Sequence, residues 1–184
     1  MQKVIISVIG EDRPGIIAAI TGLLYEQDCN LENVSQTLLQ SEFAGTFVAS
    51  VPDGLAVDRL SQMLNAELLN MDLSAHVKTI ESGRTDSPVV IGDPFVITTM
   101  GPDRKGLVAG MTQVMARHGV NVTDLQAVFK GGDKPEANIM IYEVVVPAET
   151  DPAGLDRDLR EKAAELDLEI NIQHRKIFEM MNRI

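Results

Sequence analysis

Apolar positions along the chain follow two periods, and the succession of periods occurs twice. Lys3 to Ile9 is short, β-branched and apolar, the pattern of a strand inside a sheet. From Gly15 the spacing becomes helical through Ile16, Ile17, Ile20, Leu23 and Leu24, with Thr21 and Glu26 outside the stripe, until Asp28 to Asn30 breaks it. Leu31 to Leu39 and Phe43 to Val51 read as strands joined by a hairpin turn at Gln40-Ser41-Glu42. Pro52-Asp53-Gly54 ends the second of them. Val57 to Leu69 is helical in pattern, and Leu73 to Ile80 closes the set as an alternating strand.

The same order returns downstream. Strands are expected at Phe95 to Met100, Asn121 to Phe129, Asn138 to Val146 and Leu168 to Ile177, and helices at Gly106 to His118 and Pro152 to Leu166. Ile6, Gly10, Asp12, Arg13, Gly15, Ala18, Thr21 and Asn30 are each repeated identically 91 positions later. Val51-Pro52 and Val146-Pro147 match after a shift of four more, which places a longer hairpin around Gly131 to Pro135. The chain is an internal duplication. Each copy is β-α-β-β-α-β, the ferredoxin-like order of an α+β fold, in which two helices cover one face of a four-stranded sheet. The expected boundaries are 1–82 and 94–184, with 83–93 as a linker carrying Gly, Ser, Pro and Asp.

The most similar stretch is a loop: Gly10-Glu11-Asp12-Arg13-Pro14-Gly15 and Gly101-Pro102-Asp103-Arg104-Lys105-Gly106. Asp12 and Asp103 stand where a helix N-cap belongs, and Gly15 and Gly106 leave room for a close approach. A capped helix packed on its strand explains those residues without any ligand. Arg13 and Arg104 sit at the positive end of a helix dipole, where a cation is mildly unfavourable. They call for a carboxylate partner such as Glu11, or for an anion shared with the helix N–H groups. Asn30 and Asn121 open the strand after the helix, either as turn residues or as amides able to meet both ends of an amino acid.

Composition narrows the function. A formal net charge of −11 leaves no basic stripe for nucleic acid, so a role in transcription would be indirect. The absence of Trp and the low count of two Tyr and five Phe remove the stacking platform of an RNA-binding sheet. One cysteine, Cys29, suits a small apolar role and a reducing compartment. The early charges at Glu11, Asp12 and Arg13 leave no room for a signal-peptide core, and no apolar run spans a membrane, so a cytoplasmic protein is expected. His76, His118 and His174 lack metal-ligand spacing, and His118 suits a helix C-terminus. No catalytic arrangement, metal or cofactor is called for.

This element order, with Gly-x-Asp-Arg-x-Gly after the first strand and Cys29-Asn30 or Gly119-Val120-Asn121 before the second, resembles the ACT domain family across essentially the whole chain. The tandem form looks most like the glycine cleavage system transcriptional repressor group. The second copy departs at Lys105, where the family usually has Pro. The resemblance implies two ACT domains side by side in one continuous antiparallel sheet, binding an amino-acid effector, glycine among the candidates, where they meet. Asp12, Arg13, Pro14 and Gly15 would then face Asn121, and Asp103, Arg104, Lys105 and Gly106 would face Asn30. It further implies a non-enzymatic regulator of glycine cleavage gene expression acting through a protein partner such as a transcriptional activator, with homo-oligomers a further expectation. Two alternatives stand beside it: a ligand-free interaction module, and an acylphosphatase-like hydrolase, which shares the fold and the loop arginine but has a glycine-rich phosphate loop missing here.

Overall fold

The computed structural model describes residues 1–80, 91–128 and 138–181, and the chain divides into two units, Met1–Ser87 and Pro88–Ile184. The first runs β1 (Gln2–Glu11), α1 (Ile16–Glu26), β2 (Asn30–Leu39), β3 (Glu42–Val51), α2 (Val57–Leu68), a 3₁₀ turn (Leu69–Met71) and β4 (Leu73–Ile80). Its sheet order is β2-β3-β1-β4, antiparallel throughout. The second runs β5 (Gly92–Gly101), α3 (Leu107–Arg117), β6 (Asn121–Val128), β7 (Asn138–Pro147), α4 (Pro152–Glu165), β8 (Glu169–His174) and α5 (Arg175–Met181). Its order, β6-β7-β5-β8, is the same. Both units are ferredoxin-like, each with its own four-stranded antiparallel sheet.

Alternation along the strands decides which face is dry. Val4, Ile6 and Val8 of β1 and Phe43, Phe47 and Ala49 of β3 point to the helix side. There they meet Ile16, Ile20 and Leu24 of α1 and Leu60, Leu64 and Leu68 of α2, the residues that recur at helical spacing. Each such side chain contributes about 1.5–3 kcal/mol when fully buried. In the second unit Met111, Val114 and Met115 of α3 and Leu159 of α4 do the same against Ile97, Met140, Tyr142 and Val144.

Two expectations change at the second unit's ends. β5 begins at Gly92, two residues inside the segment read as linker. The final strand stops at His174 instead of continuing to Ile177. Its last rung is Phe95↔His174, and the next would fall on Pro94, which has no N–H to offer. The chain turns instead: the Lys176 N–H donates to His174 Nδ1 at 3.2 Å, and α5 begins. Arg175 reaches Glu143 at 3.2 Å, on the sheet face away from α3 and α4. The Gly131 to Pro135 hairpin and most of the linker lie outside the described residues. Among the described residues, no helix is long and apolar enough to cross a membrane.

Candidate functional site

The repeated loop keeps the same backbone in both units for identifiable reasons. A Cβ on Gly10 would lie 2.5 Å from the Asp72 carbonyl oxygen, and one on Gly101 would lie 2.6 Å from that of Asp167. Asp72 and Asp167 hold matching left-handed turns, with φ of 51° and 50°, one residue before β4 and two before β8. These glycines are therefore places where a neighbouring turn sits on the strand. Gly15 and Gly106 serve differently: at φ of 100° and 90° they are left-handed, where a side chain is strained.

That left-handed step moves the helix cap. Asp12 and Asp103, expected as N-caps, do not cap. The N-cap residues are Gly15 and Gly106, three positions later, with no side-chain hydrogen bond and no acidic residue in the first turn. The other helices are compensated: Asp151 accepts from the Ala153 N–H at 3.1 Å at the start of α4, and Asp58 lies in the first turn of α2. Only the helices behind the repeated loop, among these four, start with neither a capping side chain nor a first-turn carboxylate. Their N-terminal N–H groups form a positive end open to an acceptor.

Asp12, Arg13 and Gly15 line a recess with Ile16, Ala18, Gln36 of β2 and Phe43 of β3, while Pro14 is exposed at its rim. Gln36 has no counterpart in the second unit, where Ala127 takes its place. The arginines lean outward to carboxylates: Arg13 lies 3.4 Å from Glu11, and Arg104 lies 3.2 Å from Asp167. Pro102 replaces Glu11 in the second copy, so Arg104 takes the turn aspartate instead. Exposed pairs of this kind contribute about 0–1 kcal/mol. Arg13 Nε is nevertheless buried without a hydrogen-bond partner among the described residues. Asp103, Arg104, Lys105 and Gly106 are all exposed.

Asn30 and Asn121 do not join the loop of their own unit. Asn30 pairs with Ser50 of β3, whereas Glu11 at the loop pairs with Glu42, eight residues away along the same strand, or about 26 Å at ~3.3 Å per residue. Asn121 stands at Val145, and Gly101 at Asn138, with the same result. Nor are they turn residues: Asp28 and Gly119, two positions earlier, carry the positive φ, and both asparagines lie in strands. A β-bulge follows each asparagine, between Leu31 and Asn33 and between Val122 and Asp124. In the first unit it turns Glu32 onto Ser50 (2.5 Å) and Lys3 (2.6 Å), which together hold its carboxyl below its ordinary value.

The floors beneath the two loops differ in chemistry. Under the first, Phe43 and Phe47 fold over Gly45, whose Cβ would sit 2.6 Å from Phe43 Cζ. Under the second, the corresponding β7 positions are Asn138, Met140 and Tyr142, and Thr99 replaces Val8. Asn138 is 1% exposed, and neither polar atom of its amide has a hydrogen-bond partner among the described residues. The Tyr142 hydroxyl donates to Met140 Sδ at 3.4 Å, and burial pushes its pKa up to about 12. Thr99 lies beside that phenol and opposes the shift, without a well-formed hydrogen bond of its own. Each buried group left unsatisfied costs about 1–3 kcal/mol. Sequence inspection missed Asn138 because it follows the hairpin insertion, where the repeat changes register. An Asn standing where the first copy has Phe43 was the available signal.

His118 is the C-cap residue of α3, and its Nε2 lies 2.9 Å from Asp158 Oδ2, where it holds that carboxyl down. Cys29 is half-buried against the first core, and burial, then Asp28, raises its thiol.

Comparison with known proteins agrees with this geometry. The family model for the ACT domain matches residues 2–78 and again 93–173. A UPF0237 protein of Methanocaldococcus jannaschii is 34% identical over 89 residues, which is 48% of this chain and 96% of that protein. Among solved structures, a protein of unknown function from Galdieria sulphuraria superposes over 94% of this chain and 98% of its own, with TM-score 0.74 and 21% identity. A protein provisionally assigned as a glycine cleavage system transcriptional repressor superposes over 94% and 96%, with TM-score 0.67 and 18% identity, a likeness of fold. With the family's model matched twice along one polypeptide, the chain belongs to the ACT domain family and carries the domain in tandem.

Proposed function

We propose that this is a non-enzymatic regulatory protein that binds a small amino acid where the loop of one unit meets the strand opening of the other. The observation that carries it is the pair of uncapped helix starts beside Arg13 and Arg104, in a molecule whose α4 is capped and whose α2 is compensated. An effector carboxylate would accept from those N–H groups and from the arginine. Its ammonium would be met by Asp12 or Asp103 and by the Asn121 or Asn30 amide. Loop and asparagine lie at opposite ends of one sheet, so a site that uses both needs two units. β2 and β6 are edge strands of their sheets.

Binding would bias the pairing of the units and so alter a surface read by a protein partner. The coupling equals the effector's differential affinity for the two arrangements. The acidity of the chain makes that partner, a transcriptional activator in the glycine cleavage setting, the one to touch DNA. The arginine–carboxylate pairs favour a second reading, a ligand-free interaction module. Isothermal titration against an amino-acid panel, glycine and serine first, decides between them. Saturable binding that is lost in Asp12→Ala or Asn121→Ala supports the effector site, and no binding across the panel selects the interaction module.

A further inference from the structure

The fold itself shows what it would accept at Asn138. The matching position in the first unit is Phe43, which pairs with Gly10 as Asn138 pairs with Gly101, and which floors the recess behind Asp12, Arg13 and Gly15. An apolar side chain therefore fits this place and packs well. The second unit instead buries a primary amide to 1% exposure, with both its donor and its acceptor unanswered among the described residues. Thr99 and the Tyr142 hydroxyl continue the polar lining deeper on the same face of the sheet. Above it, the first N–H groups of α3 have no capping side chain. Buried polar atoms of native proteins are almost always satisfied, and an orphaned amide beside an open anion site marks a missing hydrogen-bonding group.

Resting on the effector reading above, we infer that Asn138 determines specificity: the second unit selects amino acids whose side chain carries both a donor and an acceptor, a carboxamide or a hydroxyl. With the effector's carboxylate at the start of α3, its side chain passes beneath the loop. Asn138 Nδ2 then donates to the side-chain oxygen, and Oδ1 accepts from the side-chain N–H or O–H. The first recess is floored by Phe43 and sealed by Phe47 over Gly45, and its one carboxamide, Gln36, stands exposed on β2 instead of in the floor. The two sites thus differ in kind, and glycine, which lacks a side chain, is a poor ligand for the second.

The test is titration of the full-length protein with asparagine, glutamine, serine, alanine, leucine and glycine, repeated on Asn138→Leu. Amide and hydroxyl side chains are expected to bind about tenfold or more tighter than alanine, because an analogue without the polar group leaves Asn138 unpaired. Asn138→Leu is expected to abolish that preference. If Asn138→Leu fails to fold, Thr99→Val removes a hydroxyl from the same lining at constant shape and is expected to weaken the preference about threefold. Binding without any preference for polar side chains, or a preference that survives in Asn138→Leu, overturns this inference and leaves the effector site standing. Failure of every amino acid to bind the parent protein removes the effector reading itself, and this inference with it.

Discussion

The two units share a backbone and differ in what they enclose beneath it. Gly10 and Gly101 meet the same turn carbonyl, Gly15 and Gly106 make the same left-handed step, and Asp28 and Gly119 end the same helix. Below the loop, Val8, Phe43, Gly45 and Phe47 become Thr99, Asn138, Met140 and Tyr142. Conformation has been held where close contact or positive φ leaves one solution. Chemistry has drifted where several side chains fill the same space. The loop keeps its backbone in both units, whereas its floor does not keep its chemistry.

The largest test of that contrast is Met140→Ala. Truncating a fully buried methionine is expected to cost about 2–5 kcal/mol, read as the midpoint of urea unfolding, because the first unit closes around Gly45 only by means of two phenylalanine rings the second lacks. A loss below that range would mean that Tyr142 collapses inward as Phe47 does. Next come Gly10→Ala and Gly101→Ala, whose added methyl meets a backbone carbonyl in either unit. Each is expected to cost about 1–3 kcal/mol or more, and Gly10→Ala the more, because its φ of 155° adds a strain that Gly101 does not carry.

Gly15→Ala and Gly106→Ala are smaller. No side chain obstructs either position at close range, so only left-handed strain of about 1–2 kcal/mol is involved. Asn in place of Ala should recover part of it in thermal melts. The smallest effects are in acid. Glu32 and Asp158 are both held below their ordinary values, Glu32 by hydrogen bonds from Lys3 and then Ser50, Asp158 first by His118. A depressed carboxyl contributes fully above its unfolded value, 4.5 for Glu32 and 3.8 for Asp158, and loses that contribution as pH falls through the lower folded value. Melting temperatures of Glu32→Gln and Asp158→Asn should therefore lie below the parent near neutrality and converge on it toward about pH 2.

Periodicity disclosed nearly all of the element order, since Ile16, Ile20 and Leu24, like Val4, Ile6 and Val8, are spaced by the face they bury. It misplaced the caps, because an aspartate four residues ahead of a helix looks like a cap until a glycine with positive φ shifts the start. It overran β8 because Ile170 and Ile172 alternate without announcing the rung at Pro94. The loop residues were legible from the repeat. Asn138 was hidden by the change of offset from 91 to 95 and by the fact that hydrogen-bond satisfaction is a property of packed neighbours.

The distance between each loop and its own asparagine has a genetic consequence. In a one-domain protein, a pocket built from both parts requires two identical copies, so every substitution enters twice and its two pockets stay alike. Joined in a single reading frame, Asn30 and Asn121, or Pro14 and Lys105, mutate one at a time. Each unit can then change its loop and its strand opening while the other keeps its original chemistry.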